Sequence, residues 1–452
     1  MRPSSSPSEG GLFDGVLARG GVREQVDDTA YLTAMLDAEA GLASAQAEVG
    51  LISRDQAETI AEFCRADGYD LAELGRDAAA GGNPVIPLVR ALTAAVYEAD
   101  PEAAKHVHRG ATSQDILDTA AMLVAYRATG PMLADLGSAA EAAARLADEH
   151  RATLMPGRTL LQHALPITFG LTAAGWLVAL DSTVEELTAV REARLAVQLG
   201  GASGTLASLG SDGVAVLAAY AGALGLAEPV VPWHTDRTRV AELAGALGTL
   251  AGVVAKIGRD IVLLAQTEVA EVREGAPGGS STMPHKRNPV AAVSAVAAAT
   301  RAPGLVSTVL GAMAQEHQRG AGSWHAEWLP LRDLLGTVGS AVASLRDCLD
   351  GLEVDADRMR ANLDLTGGHL LTERVTTALA HMLGRLAAHD TVTTASAEAL
   401  ASGRPLGEVL VENGIEADEV AALLDPATYL GSADAFVDRA LDAHASTVEE
   451  QP

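Results

Sequence analysis

Residues 240–272 read VAELAGALGTLAGVVAKIGRDIVLLAQTEVAEV, and this stretch decides the fold. Alanine, leucine and valine dominate it. Alanine loses no side-chain entropy in a helix, so such a run predicts helix rather than strand. Glu242, Lys256, Arg259 and Asp260 interrupt it and argue against a bilayer span. Segments 160–199 and 290–317 have the same character. Helices of this length bury apolar stripes against one another in a bundle. Their apolar surface exceeds what one subunit needs, which predicts an oligomer, with two-fold symmetry as the default.

Toward the N-terminus, residues 29–49 place Leu32, Met35, Leu36, Leu42, Ala43 and Val49 on one helical face, and Gly50 ends the helix. Glu39 and Gln46 fall on that face too, which reads as a helix only partly buried there. A loop with Gly81, Gly82, Asn83, Pro84 and Pro87 follows another helical patch. Toward the C-terminus, residues 355–452 form shorter helical patches broken at 367–368, 403–405 and 425–426. No alternating stretch is long enough for a major sheet. The expected architecture is all-α. It has a flexible tail at 1–11, an N-terminal helical domain at 12–107, a central long-helix bundle at 108–350 and a C-terminal helical domain at 351–452.

Composition narrows the function. The chain has 452 residues, 48% hydrophobic but only 3% aromatic, so the core must be built from alanine, leucine and valine. A net charge of -27 excludes binding to nucleic acid or an anionic membrane surface through the overall field. An anionic ligand would need a locally basic pocket. Cys64 and Cys348 are the only cysteines, which fits a reducing cytoplasm and no disulfide framework or Cys-rich metal site. Residues 1–11 carry no apolar run behind a basic head, and the apolar stretch at 214–227 is too short to cross a bilayer. The expectation is a soluble cytoplasmic protein.

Four segments carry chemistry. Residues 278–289 read Gly-Gly-Ser-Ser-Thr-Met-Pro-His-Lys-Arg-Asn-Pro. Glycines loosen the backbone, Ser280 can carry a proton, and Lys286 with Asn288 can hold a carboxylate. The bland alternative is a loop followed by an Asn288 N-cap with Pro289 at the first helical position. Residues 108–115 read His-Arg-Gly-Ala-Thr-Ser-Gln-Asp; Thr112, Ser113 and Gln114 suit carboxylate oxygens, and Thr112 or Ser113 also suits a helix start. Thr159, Gln162 and His163 precede a long apolar run, where a lone histidine is more often structural. In 315–328, Arg319, Ser323 and His325 could line a pocket, while Trp324 and Trp328 suit packing. These segments lie far apart, so a shared pocket points to helices from different subunits.

Together the segments resemble the aspartase/fumarase superfamily. Residues 280–289 match its signature, 108–113 its His-x-Gly-x-Thr-Ser pattern, and the likeness runs from about 12 to 441. The runs at 110–115, 324–328 and 424–438 are similar to its lactonising cycloisomerase branch. The resemblance implies an all-helical, three-domain homotetramer with a long central bundle, no metal or other cofactor, a small polycarboxylate substrate, and active sites assembled from three subunits. It makes Ser280 the proton-transferring serine and Lys286 and Asn288 carboxylate holders. Thr112 and Ser113 become a second clamp, His108 a pocket histidine, and Thr159 and Gln162 substrate binders. Gln114, His163, Ser281, Met283 and Arg319 complete the expected substrate contacts.

One position departs from the pattern. Leu160 stands where the superfamily usually carries a histidine that serves the leaving group. That disfavours amine elimination, whose basic leaving group needs an acid. Lactone chemistry moves a carboxylate, a far weaker base with a conjugate-acid pKa of about 4. Elimination of a weakly basic group such as nitrite from a substituted succinate fits Leu160 equally well. Adenylosuccinate or argininosuccinate cleavage fits less: the Arg-Tyr pair of adenylosuccinate lyases is replaced by the region around Leu12, Phe13 and Asp14. A non-catalytic scaffold, like the lens crystallins of this superfamily, is opposed by intact Ser280, Lys286 and Asn288.

Overall fold

The computed structural model describes residues 11–449, so the tail expected at 1–11 lies outside the described residues apart from Gly11. Five long helices dominate: α1 (Asp28–Glu48), α2 (Ser113–Glu149), α3 (Phe169–Ala193), α4 (Thr238–Leu264) and α5 (Ser323–Asp350). The described strands make two small antiparallel sheets, β1 (Leu154–Thr159) with β2 (Gln162–Thr168) and β3 (Val272–Glu274) with β4 (Leu352–Val354). The fold is all-α.

The chain divides into two compact units. One comprises Met1–Leu136, Thr183–Lys256 and Ser294–Leu345; the other comprises Gly137–Ser182, Ile257–Val293 and Arg346–Pro452. In the first, Asp27 caps α1 by accepting from the Ala30 N–H at 2.7 Å, and Gly50, at φ +85°, follows its end. Gly41 lets α1 approach the Gly213–Leu224 helix, where a Cβ would stand 2.8 Å from Leu224 Cδ2. An apolar cluster of Ala43, Ile52, Ala57, Ile60, Leu92 and Val96 packs beside it. In the second unit the C-terminal helices close on Val375, Leu379, Val392, Leu406 and Val409. Their breaks fall at left-handed Gly367, Gly368 and Gly403.

Several expectations need correction. The helix expected across 160–199 begins only at Phe169, because 154–168 forms the β1–β2 hairpin. The segment 290–317 is two helices, Val290–Ala299 and Ala302–Gly311; Pro303 has no N–H to continue the first, and its ring crowds the preceding turn. Glu39 and Gln46 are not on a partly exposed face: they are 2% and 0% exposed. The apolar stretch near 214–227 belongs to a helical run, Ala207–Leu224, that is long and apolar enough to cross a membrane by length and composition, as are Thr238–Leu264 and Val290–Gly311. Gly210 takes a non-helical conformation in the first, α4 carries the charges already named, and the third is broken at 300–301.

Candidate active site

The loop after β3 is pinched shut by its own backbone. Gly278 and Asn288 exchange both amide-to-carbonyl hydrogen bonds at 2.9 Å. A Cβ on Gly278 would overlap Val290 Cγ2, so only glycine closes this neck. Residues 281–287 stand exposed beyond it, Ser281, Met283 and Lys286 among them. Ser280 is half-buried, and its Oγ accepts from the Thr282 and Met283 amides at 3.3 and 3.1 Å. Amides donating to an oxygen stabilise negative charge on it.

The Asn288 N-cap is replaced. Glu274, buried at the end of β3, accepts from the Ala291 and Ala292 amides at 3.1 and 2.7 Å and takes the free donors of the Val290–Ala299 helix. The Asn288 side chain turns back and donates to the Gly279 carbonyl at 3.4 Å.

The β1–β2 hairpin presents the second set. Thr159 and Gln162 flank a two-residue turn, Leu160–Leu161, with both residues left-handed at φ +51° and +63°. Asn-Gly is the favoured pair for such a turn, so two leucines there are strained. Leu160 is 96% exposed. Arg158 anchors the hairpin through two hydrogen bonds to buried Glu271, at 2.9 and 2.6 Å, and Asn362 donates to the same carboxylate at 2.7 Å. His163 lies opposite Arg158 in the register, its Nδ1 buried without a partner. Burial, then the Arg158 charge, lowers its basicity below the ordinary histidine value. Among the described residues no hydrogen bond or ion pair joins the hairpin tip to the 278–289 loop.

The third set lies in the first unit at the start of α2. Ser113 begins this helix. The Thr112 N–H donates to Asp115 Oδ2 and the Asp115 N–H to the Thr112 carbonyl, both at 2.9 Å, so Asp115 rather than a hydroxyl closes the turn. Asp115 also accepts from the Gly200 and Gly201 amides at 3.0 and 2.9 Å and pairs with His234 at 2.6 Å. Thr112 and Ser113 remain half-buried. Gln114 is fully buried: its amide donates to Asp118 and the His234 carbonyl and accepts from Arg319 Nη1 at 3.2 Å. Arg319 also donates to the Ala202 carbonyl at 2.9 Å. His108, left-handed at φ +57°, pairs through Nδ1 with Glu39 at 2.6 Å. Glu39, Asp115 and His234 were missed by the sequence reading; only the misplaced polar residues on the α1 stripe signalled the first.

Beneath this segment, Arg237 holds Asp118 and Glu327 in a buried triad; Trp324, buried as expected of a packing residue, also donates its Nε1–H to Asp118 at 2.9 Å. A cavity of about 270 Å³ beside it is walled by Leu32, Met35, Leu74, Leu117 and Trp328, and none of the expected site residues line it. Among the described residues no group of three or more His, Cys, Asp or Glu side chains is placed to hold a metal ion.

This all-α chain carries the serine–lysine–asparagine loop and the hydroxyl-rich helix start that its resemblance assigns to a lyase-type enzyme. The lyase family pattern matches residues 20–304, and that of the adenylosuccinate lyase C-terminus matches 368–440. The chain belongs to this lyase family, of the fumarase/aspartase type. It is 47% identical over 440 residues to the 3-carboxy-cis,cis-muconate cycloisomerase of Bradyrhizobium diazoefficiens, covering 96% of this chain and 98% of that one. It is also 47% identical over 449 residues to the nitrosuccinate lyase of Streptomyces davaonensis, covering 96% and 94%. The crystal structure of the 3-carboxy-cis,cis-muconate lactonizing enzyme from Pseudomonas putida superposes with a TM-score of 0.91 at 44% identity, covering 97% of this chain and 99% of that one.

Proposed function

We propose that this protein is a cycloisomerase converting 3-carboxy-cis,cis-muconate to 4-carboxymuconolactone in aromatic-compound degradation. The observation that carries the reading is near full-length likeness to a cycloisomerase, at 47% identity, in a chain that keeps the serine–lysine–asparagine loop.

In the lactonising direction one substrate carboxylate oxygen bonds to a carbon of the conjugated diene. The π electrons move toward the neighbouring carboxylate, which becomes an enediolate. Lys286 and Asn288 stabilise that charge, with Thr112, Ser113 and His108 holding a second carboxylate. Ser281, Met283, Thr159, Gln162, His163 and Arg319 complete the contacts. Ser280 delivers its proton to the enediolate's own α-carbon, next to the carboxylate that re-forms, and recovers one from water. In reverse its oxygen is the base, helped by the Thr282 and Met283 amides. The displaced group in that direction is a carboxylate, which needs no strong acid. The tip residue Leu160 offers none, and His163, its basicity lowered by burial and then by the Arg158 charge, is a poor one.

The reading extends to assembly. The 108–113 segment, the hairpin and the 278–289 loop are supplied to each site by different copies in a homotetramer. Exposed Val178, Val293, Leu310 and Leu329 on the bundle helices support burial against such copies rather than lipid. The protein is soluble and works in the cytoplasm, and the domain division at 107/108 and 350/351 belongs to the same proposal.

A second reading has its own support: the Streptomyces davaonensis relative is equally similar, and Leu160 suits loss of nitrite. Assays with 3-carboxymuconate, nitrosuccinate and adenylosuccinate separate them. Loss of diene absorbance with the first alone supports the proposal. Nitrite release from the second alone replaces it with a fumarate-forming elimination.

A further inference from the structure

We infer that Glu39 is a positioning residue that fixes both the ring and the positive charge of His108 at the carboxylate clamp. The inference rests on the reading above, in which the 108–113 segment binds a substrate carboxylate.

A carboxylate on the apolar stripe of a helix is costly unless it is paired. Glu39 is buried on α1, and its Oε1 lies 2.6 Å from His108 Nδ1. Three other ionisable groups feel the Glu39 charge, and none of them is a cation. Burial, with Glu39 itself adding to it, pushes the Cys64 thiol and the Tyr69 and Tyr220 phenols up, so all three stay neutral. From α2, Asp115 is the second charge acting on His108; it is itself occupied by His234 and three amides. Burial pulls the imidazole down, but the hydrogen bond and charge of Glu39, with Asp115 behind them, outweigh it and hold His108 above its ordinary value.

The tautomer gives this charge a use. With Nδ1–H donated to Glu39, Nε2 remains. On a neutral ring Nε2 is an acceptor, which repels a carboxylate; on the imidazolium it is a donor. Glu39 therefore converts the clamp histidine from the wrong polarity to the right one, inside a chain whose net charge is -27.

The same helix fixes the backbone. A left-handed histidine is strained and persists only where its surroundings hold it. Gln46, two turns beyond Glu39, donates to the Arg109 carbonyl at 2.7 Å, and Arg109 Nη1 donates to the Leu51 carbonyl at 3.1 Å.

The test is Glu39→Gln, which keeps the size and the acceptor and removes the charge. Deuterium exchange at the His108 imidazole C2, read by peptide mass spectrometry across pH, needs no substrate. Its midpoint is expected to move to lower pH. With 3-carboxymuconate, the alkaline fall of kcat/KM should move down with it, for a loss of about tenfold at pH 8, mostly in KM. Glu39→Asp should return the profile part of the way, and it serves as the charge-retaining variant should Glu39→Gln fail to fold, with a smaller shift in the same direction. An unmoved exchange midpoint, or a loss of kcat/KM equal at every pH, overturns the inference. A moved midpoint in an enzyme whose wild type ignores 3-carboxymuconate would instead sink the substrate assignment and the clamp role with it.

Discussion

A serine hydroxyl is a weak acid and a weaker base, so Ser280 depends on its surroundings: two amides on its oxygen and, in the proposed complex, Lys286 nearby. Ser280→Ala is expected to lower kcat roughly 10²–10⁴-fold while circular dichroism and the melting temperature stay unchanged. Near-normal turnover would remove the serine from the mechanism. Glu327 poses a different problem. Burial, opposed by Arg237 and reinforced by Asp118, pushes its carboxyl up to about 7 from an ordinary 4.5. A raised folded value means that the folded state holds the proton more tightly. The stabilisation is complete below about pH 4.5 and is lost as pH rises through about 7. The wild-type melting temperature, relative to that of Glu327→Gln, should therefore fall between those values; a flat difference would contradict the shift. None of this was legible in the sequence, where Glu327 is one letter of a Trp-His-Ala-Glu-Trp run, because a carboxyl's environment comes from distant Arg237 and Asp118.

At the scale of the element, composition found the helices and neighbours set their ends. The apolar runs at 160–199 and 290–317 were read as continuous, yet a hairpin and Pro303 cut them. Asn288–Pro289 looked like a helix start and stands at one, but the capping carboxylate comes from Glu274 on β3. Glu274→Ala should destabilise the second unit by about 1–2 kcal/mol, as loss of a cap does, visible as earlier hydrogen exchange in the Val290–Ala299 helix. Unchanged exchange there would show that the cap is dispensable. The expectation of a partly exposed helix face at Glu39 and Gln46 failed because a periodicity reports which residues share a face and not what covers them.

At the scale of the whole molecule, the proposed tetramer makes a prediction that no monomeric site would. Ser280→Ala and His108→Ala proteins, each inactive alone, should recover part of the activity when unfolded together and reassembled, since some sites then draw both intact residues from different copies. No recovery in a mixed oligomer confirmed by light scattering would place the site within one chain. The sequence by itself determined the all-α class and where the long apolar runs fall, because helix propensity and apolar spacing are local properties. Tertiary structure alone decided that Glu39 pairs with His108 and that Asp115 is held by the Gly200 and Gly201 amides and His234. Those outcomes depend on which buried charge meets which partner across long separations in the chain, and local spacing carries no record of such pairings.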